Sequence, residues 1–305
     1  MTFFIQKTMM KAFNMQTMMK AKRIIHAWLW MLLMGLPLAF ALTSCESNVH
    51  KDEQGGLSVA LAWQDADDAT AVKNIRMWIF NAADGSLVKS QEYTDARVLA
   101  NERYPLGKGQ YKVVTAVNLT SPLSVGNDAN MNDLIFSLYE ASASPERAFY
   151  GVTDATVTDA SAVTSVTVPV QRLLAELTIT IDGAPASSVM TGEVQDVATG
   201  FYPNRAQANT DATTVTLPTT TAQGETLQMQ TIRLMPTVYN RENSRLYLCI
   251  SRLDGIVEEY DITAPAMKAG GKYEIRFKHS EMQPKMNLDA TINNWKDLNG
   301  EVEIK

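Results

Sequence analysis

Short runs in which apolar and polar residues alternate dominate the chain from Leu57 onward, and apolar positions at helical spacing are scarce. The runs are rich in β-branched and aromatic residues and end at Gly, Pro, Asn or Asp, which is typical of β-sandwiches. In residues 74–80 the odd-numbered side chains fall on one face of an extended strand and the even-numbered ones on the other. The pattern predicts strands over 57–63, 74–80, 86–93, 110–118, 149–153, 165–170, 173–181, 193–200, 213–217, 226–234, 244–250, 255–262, 272–279, 286–292 and 301–304.

The order of these predicted strands indicates the domain organisation. Only one short helix is predicted in the first half, over 130–140, where the segment begins after a polar loop. A Gly- and Pro-containing break over 183–186 interrupts the strands near the middle. Two consecutive sandwiches of similar length explain the number of strands and match the usual size of a domain. We therefore expect an all-β fold with two tandem antiparallel β-sandwich domains, over 57–171 and 172–305.

A basic and then strongly apolar segment opens the chain. Basic residues at positions 20–23 precede an apolar run over 24–42, which is the arrangement of an export signal. The run is 19 residues long. That length is close to the roughly 20 residues that span a bilayer, so a permanent transmembrane helix is the alternative. Gly35 and Pro37 weaken such a helix, and the residues that follow favour cleavage.

The sequence Leu42-Thr43-Ser44-Cys45 ends the apolar run and resembles the lipobox of bacterial lipoproteins. Small side chains let a signal peptidase reach the Ser44–Cys45 bond, and the Cys45 thiol is the group that takes the lipid. Each buried CH₂ contributes about 0.8 kcal/mol, so more than one acyl chain anchors a protein stably. We expect a signal peptide over 1–44, with Cys45 as the lipidated N-terminus of a polar tether over 45–56.

Charge and composition exclude several classes of function. From Cys45 onward the chain holds 22 Lys and Arg against 33 Asp and Glu, an acidic balance that argues against nucleic-acid binding. Only two Cys and three His occur, which is too few for a zinc cluster. No Ser/His/Asp arrangement, phosphate loop or dinucleotide fingerprint is present. We expect no enzymatic activity, no metal and no cofactor.

Four polar residues have both a structural and a functional interpretation. His279 lies at the end of a predicted strand without metal-ligating neighbours, so we expect a surface or strand-end histidine. The alternating Asp65, Asp67 and Asp68 resemble Ca²⁺ ligands in spacing. The glycine and the distal glutamate of an EF-hand are missing, however, so a solvated loop is the expectation.

Two aromatic residues and one thiol receive a structural interpretation as well. Trp63 and Trp78 occupy predicted strands and are expected in the core rather than on a sugar-stacking surface. Cys249 has no disulfide partner once Cys45 carries lipid, and we expect it to behave as a small core residue.

Five segments that follow the lipobox in the sequence each contain a turn and a strand of alternating apolar and polar residues. They are 72–88 (VKNIRMWIFNAADGSLV), 106–118 (LGKGQYKVVTAVN), 168–181 (VPVQRLLAELTITI), 269–277 (AGGKYEIRF) and 290–304 (ATINNWKDLNGEVEI). In this order they resemble the recurring blocks of the Bacteroidales fimbrillin superfamily. Within it the chain is most similar to the FimB-type fimbrial anchor lipoproteins, and the resemblance covers nearly all of 57–305.

The resemblance implies two transthyretin-like sandwich domains and a role in surface fimbriae. Stalk and tip subunits of this superfamily lose their lipid and first strand when a protease cuts after Arg, and a neighbouring subunit then donates a strand to the groove. This chain departs from that pattern. No Arg lies between Cys45 and Leu57, and the next one, Arg76, falls in a predicted strand. We therefore expect a permanently lipidated anchor.

The functional hypothesis is an outer-membrane lipoprotein, exposed at the cell surface, that anchors a fimbrium or forms a minor subunit of it by strand exchange. Its partners are expected to be the fimbrial stalk or other fimbrillin-like subunits, with lipid on Cys45 in the outer membrane. The segment 301–304 follows an Asn299-Gly300 turn. It is expected either to pair with another subunit or to complete its own sheet. The alternatives are a tip adhesin and a surface glycan-binding lipoprotein.

Overall fold

A computed structural model of the chain describes residues 55–64, 66–140 and 144–282, and the backbone of 287–289. Strands account for 56% of it and helices for 7%, which confirms the predicted all-β class. No helix in these ranges is long and apolar enough to cross a membrane. The elements are β1 (Gly56–Trp63), α1 (Ala66–Thr70), β2 (Ile75–Asn81), β3 (Leu87–Tyr93), α2 (Ala96–Asn101), β4 (Gly109–Val117), β5 (Leu123–Gly126), β6 (Ile135–Leu138), β7 (Phe149–Val157), β8 (Val163–Arg172), β9 (Ala175–Asp182), β10 (Val189–Ala198), β11 (Gly200–Tyr202), β12 (Gln207–Ala208), β13 (Ala212–Thr216), β14 (Thr220–Thr221), β15 (Thr226–Gln228), β16 (Ile232–Leu234), β17 (Asn243–Ser251), β18 (Val257–Pro265), β19 (Lys272–Lys278) and β20 (Asn287–Asp289).

The first sheet has six strands in the order β1-β8-β7-β4-β2-β3, so β1 and β3 form its edges. β1 runs parallel to β8, and the other neighbours are antiparallel. Ile75, Met77 and Ile79 of β2 are fully buried in one core together with Leu99 of α2. Trp78 and Phe80, on the opposite face of β2, are fully buried in a second core. The alternation predicted for this strand is confirmed, but both of its faces are packed.

A smaller sheet, in the order β12-β11-β6-β5, packs against that second face. The ring of Phe136 on β6 lies 6.0 Å from the ring of Trp78, and the ring of Phe201 on β11 lies 4.9 Å from that of Tyr150. Its strands come from both sides of the predicted boundary at 171/172, because β5 and β6 precede it and β11 and β12 follow it. The division into two separate sandwich domains stays a prediction.

Two further sheets contain the remaining strands of the described chain. In one of them β9 lies centrally, with β15 and β16 antiparallel along one edge and β19 parallel along the other. The other sheet has the order β13-β10-β17-β18-β20, with β14 also pairing with β10. The inward side chains of both sheets share one core, since Ile179 of β9, Leu248 of β17 and Tyr260 of β18 belong to the same buried cluster.

The helix predicted over 130–140 is wrong, because the segment forms a turn followed by β6. Leu134, Phe136 and Leu138 are buried whereas Ile135 and Ser137 between them are half-buried, which is the spacing of a strand. Backbone pairing with β5 on one side and β11 on the other holds β6 extended.

The sequence pattern also missed both helices. α1 has five residues and α2 has six, which is too short for an apolar period to be visible. α2 begins after Asp95, whose carboxylate caps it by accepting a hydrogen bond from the backbone N–H of Arg97 at 2.7 Å. The single strand predicted over 226–234 is divided into β15 and β16.

Candidate functional site

β1 lies at an edge of the first sheet, and its start is paired on both sides. Its eight residues pair in register with Val163–Val170 of β8. On the other side, Leu57 exchanges two backbone hydrogen bonds of 2.9 Å with Tyr104. We call this slot, bounded by β8 and by residues 100–106, the first-strand seat.

Two glycines allow the chain to enter the first-strand seat. A Cβ on Gly55 would lie 2.2 Å from the carbonyl carbon of Ser161, and a Cβ on Gly56 would lie 2.4 Å from the carbonyl oxygen of Tyr104. Both contacts are with backbone atoms, and these can move away only if the pairing of β1 is lost. Gly55 and Gly56 are buried, so the last two residues of the segment predicted to be a tether belong to the fold.

Side chains of β1 add to the backbone pairing. Leu57 and Val59 are fully buried in the core that Tyr104 also enters. Burying a Leu or Val side chain contributes about 1.5–3 kcal/mol each, so release of β1 would expose costly apolar surface. The hydroxyl of Ser58 donates to the carbonyl of Ala100 at 3.3 Å and accepts a hydrogen bond from Nη1 of Arg103 at 2.9 Å.

A pair of buried tyrosines closes the far side of the first-strand seat. The hydroxyls of Tyr93 and Tyr104 are hydrogen-bonded to each other. Burial raises the pKa of Tyr104, and the hydrogen bond with Tyr93 raises it further, so both rings stay neutral. Tyr104, which pairs with Leu57, is therefore held in place by Tyr93 of β3.

Asp68 connects the end of β1 to the end of β8. It lies in α1, its side chain is 7% exposed, and it accepts two hydrogen bonds from Arg172, of 2.8 Å from Nε and 2.9 Å from Nη2. Two parallel charge-assisted bonds of this kind fix both groups strongly. The prediction of a solvated loop is wrong for Asp68, whereas the side chains of Asp65 and Asp67 lie outside the described residues.

Arg76, the first Arg after Cys45, lies within β2 between β3 and β4. Its Nη2 donates to the carboxylate of Asp128 at 2.7 Å, and its guanidinium stacks 5.0 Å from the ring centre of Trp78. A protease binds its substrate as a freely extended segment, so a strand paired on both sides is a poor site of cleavage.

The residues predicted to carry lipid and to be cleaved, Cys45 and Ser44, lie outside the described residues, as does the predicted exchange segment 301–304. The nearest described element before that segment is β20. It runs parallel to β18 and pairs with Asp261–Thr263, which is one third of the length of β18.

Cys249 is placed differently from the prediction, whereas His279 directly follows the last residue of β19 and so lies at a strand end as expected. His279 is only 16% exposed, and its Nε2 lies 2.6 Å from a carboxylate oxygen of Glu258. Cys249 is half-buried on the outer face of β17, because the core face carries Leu248 and Ile250. Within the described ranges no group of three or more His, Cys, Asp or Glu is arranged to hold a metal ion.

The two tryptophans of the described chain are packed as predicted. Trp78 is fully buried. Trp63 is half-buried, and its ring meets that of Phe149 edge-on at 5.3 Å. Trp78 therefore has no free face for stacking on a sugar ring, whereas part of Trp63 stays exposed.

Comparison with known proteins confirms the resemblance seen in the sequence. A family model for the fimbrillin-A associated anchor proteins Mfa1 and Mfa2 matches residues 45–297. No curated protein matches the chain. The following similar solved structures share little sequence identity with it, so they support the fold alone.

A candidate adhesin from Bacteroides thetaiotaomicron is 13% identical with a TM-score of 0.57, over 79% of this chain and 96% of that one. A fimbrial assembly protein from Parabacteroides distasonis is 14% identical with a TM-score of 0.51, over 82% of this chain and 98% of that one. The fimbrial anchor protein Mfa2 from Porphyromonas gingivalis is 12% identical with a TM-score of 0.50, over 82% and 95% of the two chains.

Proposed function

Because this chain belongs to the family of fimbrillin-A associated anchor proteins, we propose that it holds a fimbrium at the cell surface as a lipidated subunit that keeps its own first strand. Lipid on Cys45 fixes one end in the outer membrane, and the folded part contacts the stalk or another fimbrillin-like subunit. The observation that supports this proposal most strongly is the complete first-strand seat.

A subunit that polymerises by strand donation needs an empty groove. Here β1 occupies the first-strand seat, with all eight of its residues in register with β8. No Arg lies between Cys45 and β1, and Arg76 lies in a strand that is paired on both sides. The chain therefore keeps β1 attached to the lipidated Cys45, as a permanent anchor requires.

The lipid attachment is tested by the variant Cys45→Ala in fimbriated cells. Without the thiol no diacylglycerol is transferred, so we expect the protein to leave the membrane fraction and the fimbriae to appear in the medium. Cys249→Ala is the matched control, because it removes the other thiol and should leave both in place. Fimbriae that stay attached to cells carrying Cys45→Ala would contradict the proposed anchoring.

At its other end the protein is proposed to join the fimbrium by strand exchange through the segment 301–304. Among the described residues β20 pairs with Asp261–Thr263 of β18, and we propose that a strand from another subunit pairs along the same edge. Deleting residues 299–305 should then detach fimbriae without lowering the thermal midpoint of the isolated protein. A lowered midpoint with fimbriae still attached would show that the segment only completes its own sheet.

A tip adhesin and a glycan-binding lipoprotein are the alternatives to an anchor. Glycan binding by stacking needs exposed aromatic rings, and the full burial of Trp78 gives it no support. An adhesin at the tip would be found at the distal end of the fimbrium, so immunogold labelling separates it from an anchor at the cell envelope.

A further inference from the structure

The first sheet has two edges, and β3 forms the edge opposite to β1. Residues 90–93 of β3 pair with residues 75–78 of β2 in unbroken register, and the register shifts only nearer the start of β3. Within the described ranges β2 is the only strand that pairs with residues 88–93. An edge strand directs every second N–H and C=O group away from its neighbour, and an added strand pairs with these groups.

A cavity of about 350 Å³ opens along the end of β3, and we call it the edge cavity. Four consecutive residues, 91–94, line it, and Val98 of α2 and Glu102 lie across from them. Consecutive side chains of a strand point to opposite faces, so a wall made of all four residues is the edge of the strand itself. The volume lies within the range of about 300–1,000 Å³ that ligand sites occupy.

The described lining of the edge cavity carries two carboxylates, those of Glu92 and Glu102, and no Lys or Arg. Glu92 is 75% exposed, and the Nε of Arg76 lies 3.7 Å from it, while Nη2 of that arginine donates to Asp128 at 2.7 Å. Within the described ranges the carboxylate of Glu102 has no hydrogen bond or ion pair. Val98 adds an aliphatic surface that is 52% exposed. This lining suits a long side chain with an apolar stem and a cationic end.

A second cavity, of about 290 Å³, lies on the other face of the sheet. It shares Glu92 with the edge cavity, and its apolar lining includes Leu119 and Val125. These two residues pack against the core that holds Trp78, whereas Tyr93 of the edge cavity lies in the core on the opposite face of β2. The two cavities therefore flank one end of the sheet edge on its two faces. Alternate side chains of an added strand are directed to the two faces in the same way.

From this arrangement we infer that the end of β3 binds an extended segment of a partner protein as an added strand, with a Lys or Arg side chain in the edge cavity. The stem of that side chain lies on Val98, and its cationic end contacts Glu92 and Glu102. The neighbouring side chain of the segment is apolar and points to Leu119 and Val125. An acidic segment is disfavoured, because like charges across an interface repel.

This binding site is separate from the first-strand seat, since β3 and β1 lie at opposite edges of the sheet. A partner can therefore bind at β3 while β1 stays in place. The inference depends neither on the proposed lipidation of Cys45 nor on the proposed exchange of segment 301–304, so its failure would leave both of them standing.

The test uses two blocked heptapeptides, TTVKVTT and TTVEVTT, and the full chain in detergent. In an extended peptide the central side chain points away from the two valines beside it. We expect TTVKVTT to slow amide hydrogen exchange in residues 88–94 and, in calorimetry, to bind at least about tenfold more tightly than TTVEVTT. TTVKVTT that is N-methylated at its five central residues is the peptide control. It lacks the N–H donors for strand pairing and should bind at least about tenfold more weakly.

Variants of the edge cavity give a second, independent comparison. Glu92→Gln/Glu102→Gln removes both charges at nearly constant size, so TTVKVTT should bind at least about tenfold more weakly. Glu259→Gln is the matched control, because this residue is exposed on β18 in another sheet, and its affinity should equal that of the wild type. Val98→Glu adds a third carboxylate at an exposed position, so TTVKVTT should bind about threefold more tightly.

Four outcomes would overturn the inference. The first is that TTVKVTT does not bind the wild type, as when another part of this chain already pairs with β3. The second is equal affinity of the chain for the lysine and glutamate peptides. The third is equal affinity of the wild type and the double variant for TTVKVTT, and the fourth is an N-methylated peptide that binds as tightly as its parent.

Discussion

At the scale of single residues, Gly56 controls the entry of β1 into its seat. Gly56→Ala places a methyl group 2.4 Å from the backbone oxygen of Tyr104, so the strand or its partner must shift. We expect a loss of about 1–3 kcal/mol in the free energy of unfolding, as for overpacked sites. Gly107→Ala is the control, because nothing lies within 4 Å of its added Cβ. Equal stability of the two variants in urea titrations would contradict the account.

The pair of Asp68 and Arg172 gives a second prediction. Asp68→Asn leaves Arg172, 14% exposed, without its two short charged bonds. Removing one partner of a buried pair costs about 3–5 kcal/mol, so chemical denaturation should occur at a clearly lower concentration. Asp154→Asn removes the charge of a carboxylate that is 79% exposed and pairs with Lys112, and it should change little. A small effect at both positions would show that the Asp68 pair does not hold α1.

Glu258 gives the fold a predictable response to acid. Burial acts to raise its pKa, but hydrogen bonds from His279 and Tyr260 outweigh burial and hold the pKa below its ordinary value. The ionised group therefore stabilises the fold above its ordinary pKa of 4.5, and this contribution is lost as the pH falls through the lowered pKa. Glu258→Gln should flatten the acid limb of the stability profile below about pH 4.5, while Glu259→Gln, on the exposed face, should leave it steep.

Which residues form pairs could not be predicted from the sequence. Asp68 and Arg172 are 104 positions apart, and His279 and Glu258 are 21 apart. Neither separation matches a local period, because these contacts are made only when strands from distant parts of the chain become neighbours. Alternation puts Cys249 on the same face of its strand as Tyr247, but it does not say which face is the core face, and in β17 Leu248 and Ile250 occupy it.

At the scale of elements, alternation predicted most strands because a strand with one packed face has a period of two. The segment 130–140 was misjudged although Leu134, Phe136 and Leu138 follow that period. Its strand is four residues long, and only pairing with β5 and β11 makes it recognisable. The short helices depend likewise on tertiary contacts, since Leu99 of α2 packs under β1.

The pairing of β2 predicts how the folded protein meets an arginine-specific protease. Arg76 lies in β2 between two neighbouring strands. Incubation of the folded chain with the protease should therefore leave β1 covalently joined to β2. The same protease should cut at Arg76 after denaturation in urea, which is the control for an accessible site. A fragment that begins at Met77, released from the folded protein at the same rate as from the denatured protein, would contradict a closed first-strand seat.

At the scale of the whole molecule, the family and the all-β class follow from patterns that extend along the whole chain. The connection between the first and second halves of the chain does not follow from such patterns. The small sheet pairs β6 with β11 across the predicted boundary at 171/172. Trp78 and Tyr150 of the first sheet share a core with Leu248 and Tyr260 of the last one. Alternation shows which face of a strand is buried, but not which other sheet packs against that face. The shared core could therefore not be predicted from the sequence.

The central claim is that one continuous chain joins the lipid to the seated first strand in assembled fimbriae. It is tested most directly by mass spectrometry of this protein recovered together with fimbriae from cells. We predict an N-terminal peptide that begins at acylated Cys45 and continues without a break through Gly56 and Trp63. Recovery of a chain that begins after Trp63, or of an unmodified Cys45, would contradict the account.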